Sequence, residues 1–121
     1  MMPIRCLFAV LASYERTYLR KEAVMNLYML LRFYLPKIPF GHVVEFGSYL
    51  GGLAIFLAKV AKEFLPKVKV IGFDTFSGMP AFDPSIGAQF EGQYNDTDLQ
   101  GLREFVSSNN LGNLIFLKVI L

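Results

Sequence analysis

Val43-Val-Glu45-Phe-Gly47-Ser-Tyr-Leu-Gly51-Gly52 is the stretch on which the rest of the chain turns. Val43 to Phe46 is a short apolar run interrupted by one acid and stopped by a glycine, the pattern of a buried strand. Gly47 permits a tight turn with close backbone approach, and Gly51 lets the following helix pack against the strand. Ser48 stands where it would cap that helix. The free N–H groups of the first helical turn would then face a ligand at the carboxyl edge of a sheet. The spacing is not the paired-glycine fingerprint of a dinucleotide site, because Phe46 and Ser48 flank a single glycine, and it lacks the lysine of a P-loop. Glu45 beside the turn repels a pyrophosphate and favours a ligand carrying positive charge, such as an amino acid moiety or a sulfonium.

Working outward, Ser13 to Leu35 carries Tyr14 and Tyr18, and then Val24, Leu27, Leu31 and Tyr34, at three- and four-residue steps, which predicts an amphipathic helix stopped by Pro36 and Pro39. Leu50 to Leu65 is nearly apolar all round and predicts a helix packed on a sheet, ended by Pro66. Lys67 to Asp74 alternates into a second strand that finishes at an acid, and residues 81–96 read as a long loop. Asp96 or Thr97 is placed to cap a helix over Asp98 to Ser108, and Leu114 to Leu121 is a third apolar strand. This order predicts an α/β Rossmann-like parallel sheet with right-handed crossovers. Residues 1–40 form an N-terminal helical segment and 41–121 a partial cofactor-binding domain.

The 121 residues are 54% hydrophobic and 18% charged, enough to build one core and too apolar for intrinsic disorder. The formal charge of +2 is too small to imply a nucleic-acid partner. Its distribution is uneven: residues 1–72 hold ten basic and four acidic side chains, and 73–121 hold two and six. Mean hydropathy is high, at +0.41, yet charges such as Arg32, Lys59 and Lys62 break every run that could approach a membrane span. The apolar stretch near the amino terminus is read as a buried helical turn and not as a signal peptide, since Tyr14 and Glu15 are poor cleavage flanks. A single cysteine, Cys6, favours a reducing, cytoplasmic setting.

Asp74, at the end of the second strand, is the natural partner of Glu45, because a carboxylate there can accept two hydrogen bonds from a ribose diol. Taken alone, Asp74 could be a turn cap and Glu45 an exposed acid satisfied by nearby N–H groups. The glycine-turn element together with Phe73-Asp-Thr-Phe-Ser-Gly-Met-Pro80 resembles the class I S-adenosylmethionine-dependent methyltransferases, and within them the macrocin O-methyltransferase (TylF/MycF-like) family. The resemblance runs from about Tyr14 to Lys118. It implies that Glu45, Gly47, Ser48, Tyr49 and Gly51 surround the methionine part of S-adenosylmethionine, that Asp74 and Thr75 meet its ribose, and that Phe76 to Pro80 shape the wall. It implies a small-molecule acceptor, a sugar or natural-product hydroxyl, and a divalent metal such as Mg that orients it. The family's metal-binding acids, catalytic base and adenine-contacting segment would fall beyond Leu121, so no catalytic residue and no metal ligand is expected here.

His42, the only histidine, has no metal-ligand spacing to other candidates and reads as a solvent-side or capping residue. Asp83, Glu91, Asp96 and Asp98 lack the spacing of a calcium loop and read as a solvated lid. The aromatic stripe of the first helix reads as packing, and Arg16, Arg20 and Lys21 as a solvated face. Two function classes stay open: the cofactor-binding portion of an O-methyltransferase, or a noncatalytic remnant or interaction module that keeps the fold. A nicotinamide-dependent fragment is disfavoured by Phe46. With three strands only, Val43 to Phe46 becomes an exposed apolar edge, where self-association is expected.

Overall fold

A computed structural model of the chain describes residues 19–78, 85 and 97–120. The readings that rest on Cys6, Tyr14, Arg16, Asp83, Glu91 and Asp96 lie outside these residues. The described elements are α1 (Lys21–Met29), β1 (Val43–Phe46), α2 (Gly52–Phe64), β2 (Val70–Asp74), α3 (Leu99–Ser108) and β3 (Leu114–Lys118). The strands form one parallel sheet in the order β1-β2-β3, with Val43 opposite Val70 and Val70 opposite Leu114. This is the expected α/β architecture.

The single helix expected to run as far as Leu35 is instead broken up at its end. After α1 the chain passes through a π turn at Leu30–Tyr34 and a 3-10 turn at Leu35–Lys37. Pro36 explains the change, because it donates no N–H and its ring crowds the carbonyl four residues earlier, so regular α-helical bonding cannot continue through it. The Arg32 guanidinium inside this segment lies over the rings of Phe33 and Phe64, at 4.9 and 4.6 Å.

Because the strand order grows in one direction and parallel crossovers are right-handed, both connecting helices fall on the same side of the sheet. That side is the core. Val70, Leu114 and Phe116 of the sheet are buried with Ile55, Phe56 and Val60 of α2, Leu102 of α3, and Val24 and Tyr28 of α1. Fully burying each large aliphatic or aromatic side chain contributes roughly 1.5–3 kcal/mol. On the opposite side, described residues of all three strands are exposed or half-buried. Val44, Ile115 and Leu117 point outward and are exposed, Phe46 is 81% exposed, and the rings of Phe46 and Phe73 stack at 5.4 Å. Among the described residues β1 is paired on one edge only, by β2.

Candidate functional site

Strand alternation settles which side chains share a face. Glu45 pairs with Gly72 in the register, so Glu45, Gly72 and Asp74 stand on the helix-covered face at the carboxyl ends of adjacent strands. The turn that follows β1 is tied across to β2 by the N–H groups of Gly47 and Ser48, which both donate to the Phe73 carbonyl at 2.7 and 3.2 Å. Gly47, Tyr49 and Gly51 all have left-handed φ values, of 81°, 49° and 79°. For Tyr49 that conformation is strained, and strain of this kind collects at functional sites. The turn after β2 repeats the device with Phe76 at φ 53° and Gly78 at φ 86°. Phe76 is buried edge-on against Phe116, which anchors that turn in the core.

The two acids live in opposite circumstances. Asp74 Oδ2 accepts the Tyr49 N–H at 2.7 Å and Oδ1 accepts the Phe76 N–H at 3.0 Å. Its carboxylate therefore fastens both turns together, the turn-cap role that its position alone allowed. A carboxylate has about four acceptor positions, so these two bonds leave room for ribose hydroxyls. The Thr75 hydroxyl donates to the Gly78 carbonyl at 3.0 Å and closes the second turn on itself.

Glu45 is not the exposed, satisfied acid of the simpler alternative. Its Oε1 is buried without a hydrogen-bond partner, and so is the Oγ of Ser48. Burial pushes the Glu45 carboxyl above the ordinary carboxylate range. The nearby Ser48 hydroxyl opposes the rise, although the two groups do not meet in good hydrogen-bond geometry, and the Asp74 charge adds to it.

Ser48 does not cap the helix. The N-cap is Gly51, whose left-handed φ no side chain favours, and a Cβ there would lie 2.8 Å from Leu102 Cδ2 and 3.0 Å from Phe116 Cζ. Ser48, 5% exposed, packs instead over Gly72, where an added Cβ would collide with its Oγ. At Gly72 and Gly51 close approach of neighbouring groups thus excludes a side chain. The cap of α3 is Asp98, not Asp96 or Thr97, and its carboxylate accepts the Gly101 N–H at 3.0 Å. Asp98 is therefore a helix cap and not part of a lid. His42 is exposed and its Nδ1 accepts the Lys69 N–H at 3.0 Å, as expected of a solvent-side capping residue.

Beside Glu45 lies a cleft of about 350 Å³ that sequence reading did not anticipate. Leu31 and Tyr34 of the π turn, Val44 of β1, and Leu53 and Leu57 of α2 line it, and Glu45 is the one charged residue in this largely apolar lining. These residues come together only through tertiary packing, so no local pattern announces them. Among the described residues no three His, Cys, Asp or Glu side chains gather closely enough to hold a metal ion, and no helix is long and apolar enough to cross a membrane.

No family model matches the chain, and no curated protein matches it in sequence. Solved structures do match in shape. The O-methyltransferase NovP superposes with a TM-score of 0.70 at 17% identity, over 85% of this chain and 47% of that one. The calicheamicin methyltransferase CalS11 superposes with a TM-score of 0.65 at 17% identity, over 95% of this chain and 55% of that one. An apo structure of CalS11, described as a TDP-rhamnose 3'-O-methyltransferase of calicheamicin biosynthesis, gives 0.51, also at 17% identity, over 95% and 53%. The chain spans about half the length of these proteins. Three parallel strands in an open sheet with flanking helices, in this order and with these neighbours, are part of the class I methyltransferase fold.

Proposed function

We propose that the chain is the S-adenosylmethionine-binding portion of an O-methyltransferase that acts on a hydroxyl of a sugar or small natural-product acceptor. The observation that carries this reading is the pair of carboxylates, Glu45 and Asp74, on one sheet face at adjacent strand ends, framed by two turns with left-handed residues. Ligands of open α/β sheets bind at such carboxyl edges. When bound, S-adenosylmethionine supplies an electrophilic methyl group on a sulfonium.

The chain's own residues would bind and orient it. Glu45 holds an unpartnered acceptor for a cationic amino acid moiety, and the backbone from Gly47 through Ser48 and Tyr49 to Gly51 offers close approach without side-chain obstruction at its glycines. Asp74 has acceptor capacity left for the ribose, beside Thr75. The narrower kinship with the macrocin O-methyltransferase family rests on the element from Phe73 to Pro80, and a divalent metal belongs to the reading only through that family. A cytoplasmic location and association between copies through β1 complete the proposal, the latter supported by the exposure of Val44 and Phe46.

Calorimetric titration with S-adenosylmethionine tests it. One saturable site is expected, with at least tenfold weaker binding in Glu45→Gln, and absence of binding would overturn the reading. Binding without methyl transfer to any sugar acceptor would favour the noncatalytic alternative.

A further inference from the structure

The strands are parallel, so their amino ends gather at one edge of the sheet, and α2, crossing back between β1 and β2, delivers its carboxyl end to the same edge. Hydrogen bonds tie the segments there together. His42 Nδ1 accepts the Lys69 N–H, and the Lys69 carbonyl accepts the Val43 N–H. The Asn113 carbonyl accepts the Val70 N–H, and Lys62 Nζ donates to the Asn110 carbonyl. Residues 36–42, 62–69 and 109–113 thus make up this end of the molecule, and they hold Lys37, Lys62, Lys67 and Lys69 against a single acid, Glu63. The crevice framed by Glu45 and Asp74 lies at the other end.

Apolar side chains stand out among these lysines. Phe40 is 86% exposed and Ile38 44% exposed, and Lys37, Lys67 and Lys69 are exposed around them. Pro36 and Pro39 restrict the backbone that presents the ring, so ordering it on contact costs little entropy. Phe33, 54% exposed, is held at the same end by Arg32, whose guanidinium lies over both its ring and that of Phe64, the last residue of α2.

We propose that this end of the molecule docks on an anionic lipid bilayer. Phe40 and Ile38 enter the boundary between headgroups and acyl chains, and Lys37, Lys67 and Lys69 meet the anionic headgroups. Charge complementarity decides the occupant. A second copy would set lysines against lysines, and a nucleic acid would use the lysines but leave Ile38 and the prolines against charged phosphates. A surface that is anionic outside and hydrocarbon within uses both sets of side chains. The crevice then faces away from the bilayer, towards solvent.

The test uses the full chain and vesicles of phosphatidylcholine alone or of phosphatidylcholine and phosphatidylserine in equal parts. Cosedimentation is expected to show saturable binding to the anionic vesicles and at least tenfold weaker binding to phosphatidylcholine alone. Phe40→Ser, and Lys67→Glu combined with Lys69→Glu, should each weaken anionic binding at least tenfold with circular dichroism unchanged, since all three side chains are exposed. The chain has no tryptophan, so Phe40→Trp makes the contact visible. Its emission should shift to the blue and be quenched by lipids brominated on their acyl chains. Phe46→Trp, on the exposed apolar face of the sheet, should be left unquenched. Quenching at position 46 as strong as at position 40 overturns the proposal, because adsorption then runs through the sheet face. So do absence of binding to the anionic vesicles, equal affinity for the two vesicle types, and anionic binding that Phe40→Ser leaves unchanged, which would assign the lysines to a polyanion such as RNA.

Discussion

Glu45 and Asp74 stand at neighbouring strand ends on one face of the same sheet, and the fold treats them in opposite ways. Asp74 is spent on structure: each of its carboxylate oxygens holds a backbone N–H of a different turn. Glu45 makes no such commitment and keeps a buried oxygen without a partner. One acid builds the crevice and the other is held in reserve within it. The difference arises from position along the strand. Asp74 is the last residue of β2, level with the left-handed turns whose amides it collects, whereas Glu45 lies one residue inside β1, where its own backbone is already paired to β2.

The contrast depends on the close contact of Ser48 with Gly72, so the strongest way to break it is to fill that contact. Gly72→Ala drives a Cβ into Ser48 Oγ and the Phe116 ring, and Gly51→Ala adds a left-handed penalty to its contacts with Leu102 and Phe116. Each should cost about 3 kcal/mol, as overpacking combined with backbone displacement does. Urea denaturation reads the loss, and a change below about 1 kcal/mol would mean that the turn relaxes freely. Next in size is Asp74→Ala, which leaves the part-buried N–H groups of Tyr49 and Phe76 without their acceptor and should cost about 2–3 kcal/mol. Asp74→Asn, which keeps a carbonyl oxygen, should cost less, and equality of the two would contradict the structural role assigned to the second oxygen.

The smallest effect sharpens the other half of the comparison. The folded-state pKa of Glu45 is raised, so the folded chain binds this proton more tightly than the unfolded chain does. The stability linked to it is fully present below the ordinary carboxylate pKa and is lost as the pH rises through the folded value. Glu45→Gln removes that loss. The variant should gain stability relative to the parent between pH 4 and pH 8, as read by paired denaturation curves, and an advantage that shrinks with rising pH would contradict the burial of this acid.

Much of this was legible in the residues themselves. The apolar run at 43–46, the strand ending at Asp74 and the helices over 52–64 and 99–108 follow from period and punctuation, because continuous apolar runs and glycine or proline stops are local signals. The parallel order follows from the alternation of strands and helices. What stayed hidden was non-local. Ser48 reads as a helix cap, and only packing reveals that it sits over Gly72 while Gly51 begins the helix. Tyr49 and Phe76 carry no sequence mark of their left-handed backbones. The choice of covered face was invisible for a different reason: strands of a parallel sheet are apolar on both faces, and only the direction in which the sheet grows decides which face the described helices cover.

The most direct test of the central claim is an amide chemical-shift titration of the chain with S-adenosylmethionine. Binding in the crevice between the two acids predicts saturable shifts concentrated at Gly47, Ser48, Tyr49 and Thr75, with the distant Asn109 to Gly112 turn unmoved. Shifts that fail to appear, or that cluster away from both strand ends, would contradict it.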